Sequence, residues 1–380
     1  MILSYYSLQS SITSIIVSCL IIISLGTIYN SNRSKCCQPN CASHQLLCSA
    51  PITPVSSLVP LPAEWVDKRL DEVEKSWADR LGPGGVYTPT HCSPTSRIAI
   101  LIPYRNRTSH LAHFLDIMHP FLQRQNLQYV VVVVNQTGNA PFMRGLLFNA
   151  GYKESLDHLS FKPDCIILHD VDHLPEREGM VYYCSQHGVT HLSHAVDRFD
   201  YNLFMTEYTG GVSGMTRLQY ESINGFSNMY LGWGCEDEDL YIRIKNQDLT
   251  LIRIPTELSR YTTMPHVPNY PNWFWDQTIS GLDRKRYPNL QEIVDTDGAN
   301  TDRYDYNKYL QAAAPDRIDE EGLNNVRNFY TQEGVIFHNS FTEIQISPAL
   351  DKIHASGLHY IAEYEAKLDK ELKEEEEKVS

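Results

Sequence analysis

The sequence predicts an α/β protein: a doubly wound, Rossmann-like sheet flanked by helices. Three observations carry this. Strand-like apolar runs alternate with helical stretches between residues 97 and 172, each run stops at a polar cluster, and no internal repeat interrupts the order. The chain has 380 residues, 42% hydrophobic and 21% charged, which is room for one large domain plus extras. A formal charge of −14 excludes a nucleic-acid partner, because neutralising phosphates needs an excess of Lys and Arg.

The elements follow in chain order. Ile12 to Tyr29 is almost wholly apolar or small, and the first charge is Arg33. That length suits a bilayer-crossing helix. A cleaved signal peptide is the rival, although the run is longer than a usual signal core and no clear cleavage site follows. The expected organisation is a short cytoplasmic tail (1–10), a transmembrane signal anchor (11–29) and a Ser/Pro/Cys-rich stem (30–62). A catalytic domain (63–348) and an acidic C-terminal tail (349–380) follow. Arg33 and Lys35 lie after the apolar segment, and by the positive-inside rule would put the body in the cytosol. The cysteines and the chemistry below fit a lumenal body better. None of the nine Cys forms a CxxC pair, which disfavours a zinc ribbon, and in an oxidising compartment some would pair. Of the sequons at Asn32, Asn106 and Asn135, Asn32 is the candidate glycosylation site; Asn106 sits inside a motif read as buried.

Trp65 to Leu81 has helical spacing and stops at Gly82-Pro83-Gly84-Gly85. Arg97 to Pro103 reads as a buried strand, His110 to Arg124 as an amphipathic helix and Tyr129 to Val134 as a central parallel strand. Phe142 to Ala150 is a helix, and Cys165 to Leu168 is a third strand. In such sheets ligands bind beyond the carboxyl ends of the strands. The groups there are Tyr104-Arg105-Asn106-Arg107, Asn135-Gln136 and Asp170/Asp172.

Three constellations carry chemistry. Asp170-Val171-Asp172 closes an apolar strand, and two carboxylates in a crevice of low dielectric call for a cation or hydrogen bonds. A hard divalent ion shared with a diphosphate would answer; a turn with a helix cap is the plainer reading. Gly232-Trp233-Gly234-Cys235 precedes four carboxylates, Glu236 to Asp239. These read as the acidic first turn of a helix through Leu240 to Lys245, favoured by the helix dipole, and one of them could be a general base. Gly210-Gly211-Val212-Ser213-Gly214 lacks the Gly-Lys-Ser/Thr of a P-loop, which leaves a turn or a phosphate cradle.

From about Tyr87 to Ser347 the chain resembles the β-1,4-galactosyltransferases. The resemblance is carried by Ile102-Pro103-Tyr104-Arg105-Asn106-Arg107, Val134-Asn135-Gln136 with Phe142 and Arg144, and Asp170-Val171-Asp172. It continues through Gly210-Gly211-Val212-Ser213, Ile223-Asn224-Gly225-Phe226, Gly232-Trp233-Gly234-x-Glu236-Asp237 and Gly322-Leu323-Asn324, in that order. The resemblance implies a GT-A fold, with a Rossmann-like mixed sheet flanked by helices in a single catalytic domain, and it implies inversion and a Mn²⁺-dependent UDP-sugar donor. It implies that Pro103, Tyr104, Arg105, Arg107, Phe142, Arg144, Asp170, Val171, Arg198 and Trp233 hold the UDP. Asp172 and His266 would ligate the metal. The family's Met ligand falls on Thr263, with Met264 one residue off. Glu236 would bind the donor sugar, Asp237 would be the base, and Gly234, Cys235 and Glu238 would face the acceptor. Tyr208 would favour galactose. Cys165–Cys184 and Cys48–Cys92 would be disulfides. Cys235, Glu238 and Met205 depart from the family pattern on the acceptor side. The segment Val267 to Glu320 is longer than the family's lid.

The expected function is transfer of galactose from UDP-galactose to the 4-hydroxyl of a terminal GlcNAc-type acceptor on glycoproteins or glycolipids. The expected location is the Golgi membrane, single-pass, with the body lumenal. UDP-GalNAc as donor, xylose as acceptor, and an inactive glycan-binding homologue are the alternatives.

Overall fold

The computed structural model describes residues 47–48, 54, 56–232, 234–265 and 301–379. The expected anchor (11–29), Asn32, Trp233 and His266 lie outside them. Among the described residues no helix is long and apolar enough to cross a membrane.

The helix expected over 65–81 is shorter, α1 (Leu70–Trp77), because only Val73 and Trp77 turn fully inward. The central elements are β1 (Arg97–Tyr104), α2 (Thr108–Gln123), β2 (Gln128–Gln136), α3 (Arg144–His158) and β3 (Cys165–His169). Short strands β4 (His173–Pro175), β5 (Gly188–His191), β6 (Ala195–Val196) and β7 (Val212–Thr216) lead to α4 (Arg217–Ser222) and α5 (Glu236–Asn246). Then come β8 (Thr250–Arg253), β9 (Arg260–Thr263), α6 (Thr301–Ala312), α7 (Ala314–Arg317), β10 (Tyr330–Phe337), β11 (Thr342–Pro348) and α8 (Leu350–Val379).

The main sheet has eight strands in the order β10-β11-β2-β1-β3-β7-β5-β8. Its centre is parallel: β1 pairs with β2 from Arg97↔Gln128 to Tyr104↔Asn135, and with β3 from Ile98↔Cys165. β7 runs antiparallel to β3, which makes the sheet mixed. The unbroken apolar runs of β1 and β2 are explained by burial on both faces. Ile98, Ile100, Ile102, Val131 and Val133 pack with Leu111, Phe114, Leu115 and Met118 of α2. Ala99, Leu101, Val130, Val132 and Val134 pack with Leu146, Leu147 and Phe148 of α3. Each such Val, Ile or Leu contributes about 1.5–3 kcal/mol by leaving water. The expected Rossmann-like mixed sheet flanked by helices is the observed one. A second sheet, β4-β9-β6, sits where β3 ends.

Both expected disulfides, Cys48–Cys92 and Cys165–Cys184, are formed. The boundary at 348 is not where packing ends. Ile353 of α8 is fully buried, and Tyr360 and Ile361 pack on the core, so the first part of α8 belongs to the packed body.

Candidate active site

The site is built where β1, β2 and β3 end. Beyond β1, the Arg105 guanidinium lies 5.5 Å from the Phe142 ring centroid, and its Nη1 donates to the Ala140 carbonyl at 2.6 Å. The loop bearing Phe142 is pinned by Gln136. Its Nε2 donates to the carbonyls of Ala140 and Pro141 at 3.0 and 2.9 Å, and its Oε1 accepts from the Met143 N–H at 2.9 Å. Gly232 N–H donates to the Phe142 carbonyl at 3.0 Å, joining this loop to the Gly-rich one.

Arg144 opens α3 and bridges the crevice. Its Nε donates to Asp170 Oδ1 at 2.7 Å, its Nη1 donates to Asp237 Oδ1 at 2.6 Å, and Nη1 lies 3.5 Å from Glu236 Oε1. The stacked rings of Phe148 and Phe226 lie together on one side of its guanidinium, with centroids 4.9 and 5.9 Å away. One cation thus ties the strand-end carboxylate to the two that begin α5.

The four carboxylates of α5 do not share one environment. Burial, then repulsion from Asp237, pushes Glu236 up to about 8 against the pull of Arg144. Its Oε2 has no hydrogen-bond partner among the described residues. Burial also raises Asp237, with Arg144 opposing and Asp170 adding to the rise. Burial and Asp237 push Glu238 up to about 7. Asp239 turns inward. Burial disfavours its charge, but Arg317 and Arg243 outweigh burial and hold it below the usual carboxylate range.

Gly210 and Gly211 precede strand β7 and do not turn a strand into a helix. A Cβ on Gly210 would strike Asp237 Oδ2 and the Tyr208 ring, so only glycine lets the strand approach α5. Gly211 has φ +77°, and its carbonyl accepts from Asp170 N–H at 3.0 Å. Tyr208 lies beside Asp237 within a cluster of His191, Phe199 and Phe204; burial and Asp237 raise its phenol. Arg198 rests over Phe199 at 5.1 Å.

Asp170, Asp172 and His173 offer three ligand atoms within 4.8 Å of one another. Arg107 Nη1 lies 3.6 Å from Asp172 Oδ2. Met264 is buried in the apolar cluster that includes Val171, and its N–H donates to the Asp172 carbonyl at 2.8 Å. Carboxylate oxygens with one imidazole nitrogen suit Mn²⁺. Pro103 and Tyr104 close β1, and Tyr104 Oη lies 3.3 Å from Thr108 Oγ1. Gly234 has φ +100° with open space where a Cβ would stand. Cys235 caps α5 with φ +72° and is buried, and it is the free cysteine among the described residues. Burial and then Glu238 push its thiol up, so it is no thiolate nucleophile.

Three features escaped the sequence reading. No motif marks His173, which directly follows the acidic pair. Asn307, fully buried on α6, holds the Gly-rich loop: its Oδ1 accepts from Leu231 N–H at 3.1 Å, and its Nδ2 donates to the carbonyls of Leu231 at 3.0 Å and Gly234 at 3.2 Å. Beneath the loop, Asp239, Arg243, Arg317 and Glu321 form a buried network. Arg243 donates to Asp239 at 2.6 Å and to Glu321 at 3.2 Å. Arg317 donates to Glu321 at 2.6 Å and also pairs with Asp239. The Asn-Gly-Phe and Gly-Leu-Asn motifs mark the neighbouring backbone, but nothing in the sequence marked the side chains.

Two family models cover more than half of the chain: the N-terminal region of glycosyl transferase group 7 over residues 57–185, and the N-terminal domain of galactosyltransferase over 190–267. β-1,4-Galactosyltransferase 3 of Homo sapiens and of Bos taurus are each 40% identical over 228 residues, 60% of this chain and 55% of the relative. β-1,4-Galactosyltransferase 6 of Mus musculus is 41% identical over 198 residues, 52% of this chain and 51% of the relative. The chain spans about half the length of these relatives. A solved mutant of Drosophila β-1,4-galactosyltransferase 7, in complex with manganese, UDP-Gal and xylobiose, is 24% identical. It aligns over 67% of this chain and 94% of that one, with a TM-score of 0.46. The chain belongs to the β-1,4-galactosyltransferase family of glycosyltransferases.

Proposed function

We propose that the chain is an inverting, Mn²⁺-dependent galactosyltransferase that moves galactose from UDP-galactose to the 4-hydroxyl of a terminal GlcNAc-type acceptor. One observation supports this most: Arg144 bonds to both Asp170 and Asp237, so a cation-binding end and a base lie in one crevice. Phe142 and Arg105 offer the uracil a stacked, cationic wall, and Arg107 faces the diphosphate. Asp172, with Asp170 beside it, would hold the metal, whose positive charge would offset the negative charge of a diphosphate leaving group.

Asp237 accepts the proton of the acceptor hydroxyl as that oxygen attacks the anomeric carbon. Arg144 favours its charged form against burial, and a raised carboxyl is the stronger base near neutral pH. Glu236 hydrogen-bonds a sugar hydroxyl, for which its unpartnered Oε2 is available. Base and leaving group act from opposite faces, which inverts the centre. We place the body in the Golgi lumen, held by a signal anchor over 11–29. The two disulfides support an oxidising compartment.

The test is transfer by the purified protein with Mn²⁺ across UDP-galactose, UDP-GalNAc and UDP-glucose, against GlcNAc and xylose acceptors, with the product anomer read by NMR. A β-linked galactoside made on GlcNAc and abolished by EDTA is expected. A folded protein that binds UDP and transfers nothing would favour the inactive glycan-binding homologue.

A further inference from the structure

We propose that the His173 imidazole is itself a ligand of the divalent cation, so that the site's selectivity rests on nitrogen as well as oxygen. This rests on the metal-dependent reading above and names one more member of that site.

The geometry has three parts. First, His173 Nδ1 lies 2.9 Å from Asp172 Oδ1. Adjacent ligands of an octahedral ion with bonds of about 2.1 Å stand roughly 3 Å apart, so the two atoms already have the separation of a shared cation. Second, the ring is held in place. His173 is 4% exposed, and it packs against the Cα of Gly211, where a Cβ would meet its Cδ2 and Nε2 at 3.1 and 3.2 Å. Gly211 thereby makes room for an imidazole beside the acidic pair. Third, the strand facing His173 carries an unanswered polar atom. His173 and Thr263 are direct partners across the antiparallel pair β4–β9, which sets their side chains on one face. Thr263 is 7% exposed, and its Oγ1 has no hydrogen-bond partner among the described residues. A buried hydroxyl with no partner costs about 1–3 kcal/mol. A hydrated cation at His173 and Asp172 would give that hydroxyl a water or the ion itself.

The rival role is a hydrogen bond that only orients Asp172. The two roles separate by metal. Nitrogen is a poor donor to Mg²⁺ and a better one to Mn²⁺, whereas oxygen serves both. Losing a nitrogen ligand therefore weakens Mn²⁺ more than Mg²⁺. Losing an orienting contact weakens both alike.

The experiment titrates Mn²⁺ and Mg²⁺ into the full chain and its His173→Gln variant at saturating UDP. Free Mn²⁺ is followed by EPR and Mg²⁺ by calorimetry, and electron spin-echo modulation from ¹⁴N is recorded on bound Mn²⁺. The variant should bind Mn²⁺ at least about 10-fold more weakly and Mg²⁺ less than about 3-fold more weakly, with shallower ¹⁴N modulation. Equal weakening of both ions, or unchanged ¹⁴N modulation, would overturn the assignment. If His173→Gln does not fold, His173→Asn takes its place. In the wild-type protein, bound Mn²⁺ without any ¹⁴N modulation also overturns it. A wild-type chain that binds no Mn²⁺ beside UDP would instead defeat the metal-dependent reading itself.

Discussion

Helix α5 carries two kinds of carboxylate within one turn. Glu236 and Asp237 face the crevice, where they share one cation, Arg144, with Asp170, and Glu238 beside them is raised by burial and by Asp237. Asp239 faces the core, where Arg243 and Arg317 close on it and Glu321 completes a set of two cations and two anions. All four lie near the positive end of one helix. The difference is therefore the count of partners. A balanced buried set fixes a structure, and an unbalanced set leaves carboxyls poised near neutral pH with capacity for a proton, a sugar hydroxyl or a cation.

The comparison can be broken from either side. The largest effect should come from Asp237→Asn. It keeps the size and the contact with Arg144 but removes the proposed base, so kcat should fall by about 10³-fold. UDP affinity, read by calorimetry, should stay within about 3-fold. Retention of wild-type turnover would reassign the base. On the inward side, Arg317→Met leaves Asp239 and Glu321 short of a cation in a dry interior. Unfolding free energy in urea should drop by about 3–5 kcal/mol. A drop under about 1 kcal/mol would mean that the network is not the brace proposed here.

Asn307→Asp is nearly isosteric, yet it replaces the donor to Leu231 and Gly234 with an acceptor. It should lower kcat by roughly 10- to 100-fold through misplacement of the loop, while UDP affinity holds. An equal loss of UDP binding would show a merely structural role. The last effect, that of Glu236→Gln on stability, depends on pH. In the folded protein Glu236 titrates well above the ordinary glutamate value, so its cost is absent below about pH 4.5 and grows as pH rises through about 8. The variant should be more stable than wild type at and above pH 8 and equal to it below about pH 4.5. A variant less stable at pH 8 would contradict the shift.

The sequence revealed the fold because β1, β2 and β3 announce themselves as apolar runs, and their polar ends locate the crevice. Motifs whose order is specific pointed to Arg144, Asp170, Glu236 and Asp237, and the fold brings these four into contact. It did not reveal that Asp239 belongs to another system, because four consecutive carboxylates look alike until the helix turns one of them inward. Nor could it reveal Asn307 or Arg317. Their partners, Leu231 and Asp239, lie more than 70 residues away, and hydrogen bonds to backbone leave no pattern in composition. α8 misled for a different reason: its acidic end outweighs the few apolar residues, Ile353 and Ile361, that dock its beginning.

The most direct test of the contrast within α5 is a carboxyl-carbon NMR titration of the protein labelled selectively at Glu and Asp. Glu236 should titrate near pH 8, Glu238 near pH 7, and Asp239 below the ordinary aspartate range. If all of them titrate together in the ordinary range, or if Asp239 titrates above Glu236, the division of this helix into a reactive face and a bracing face is wrong.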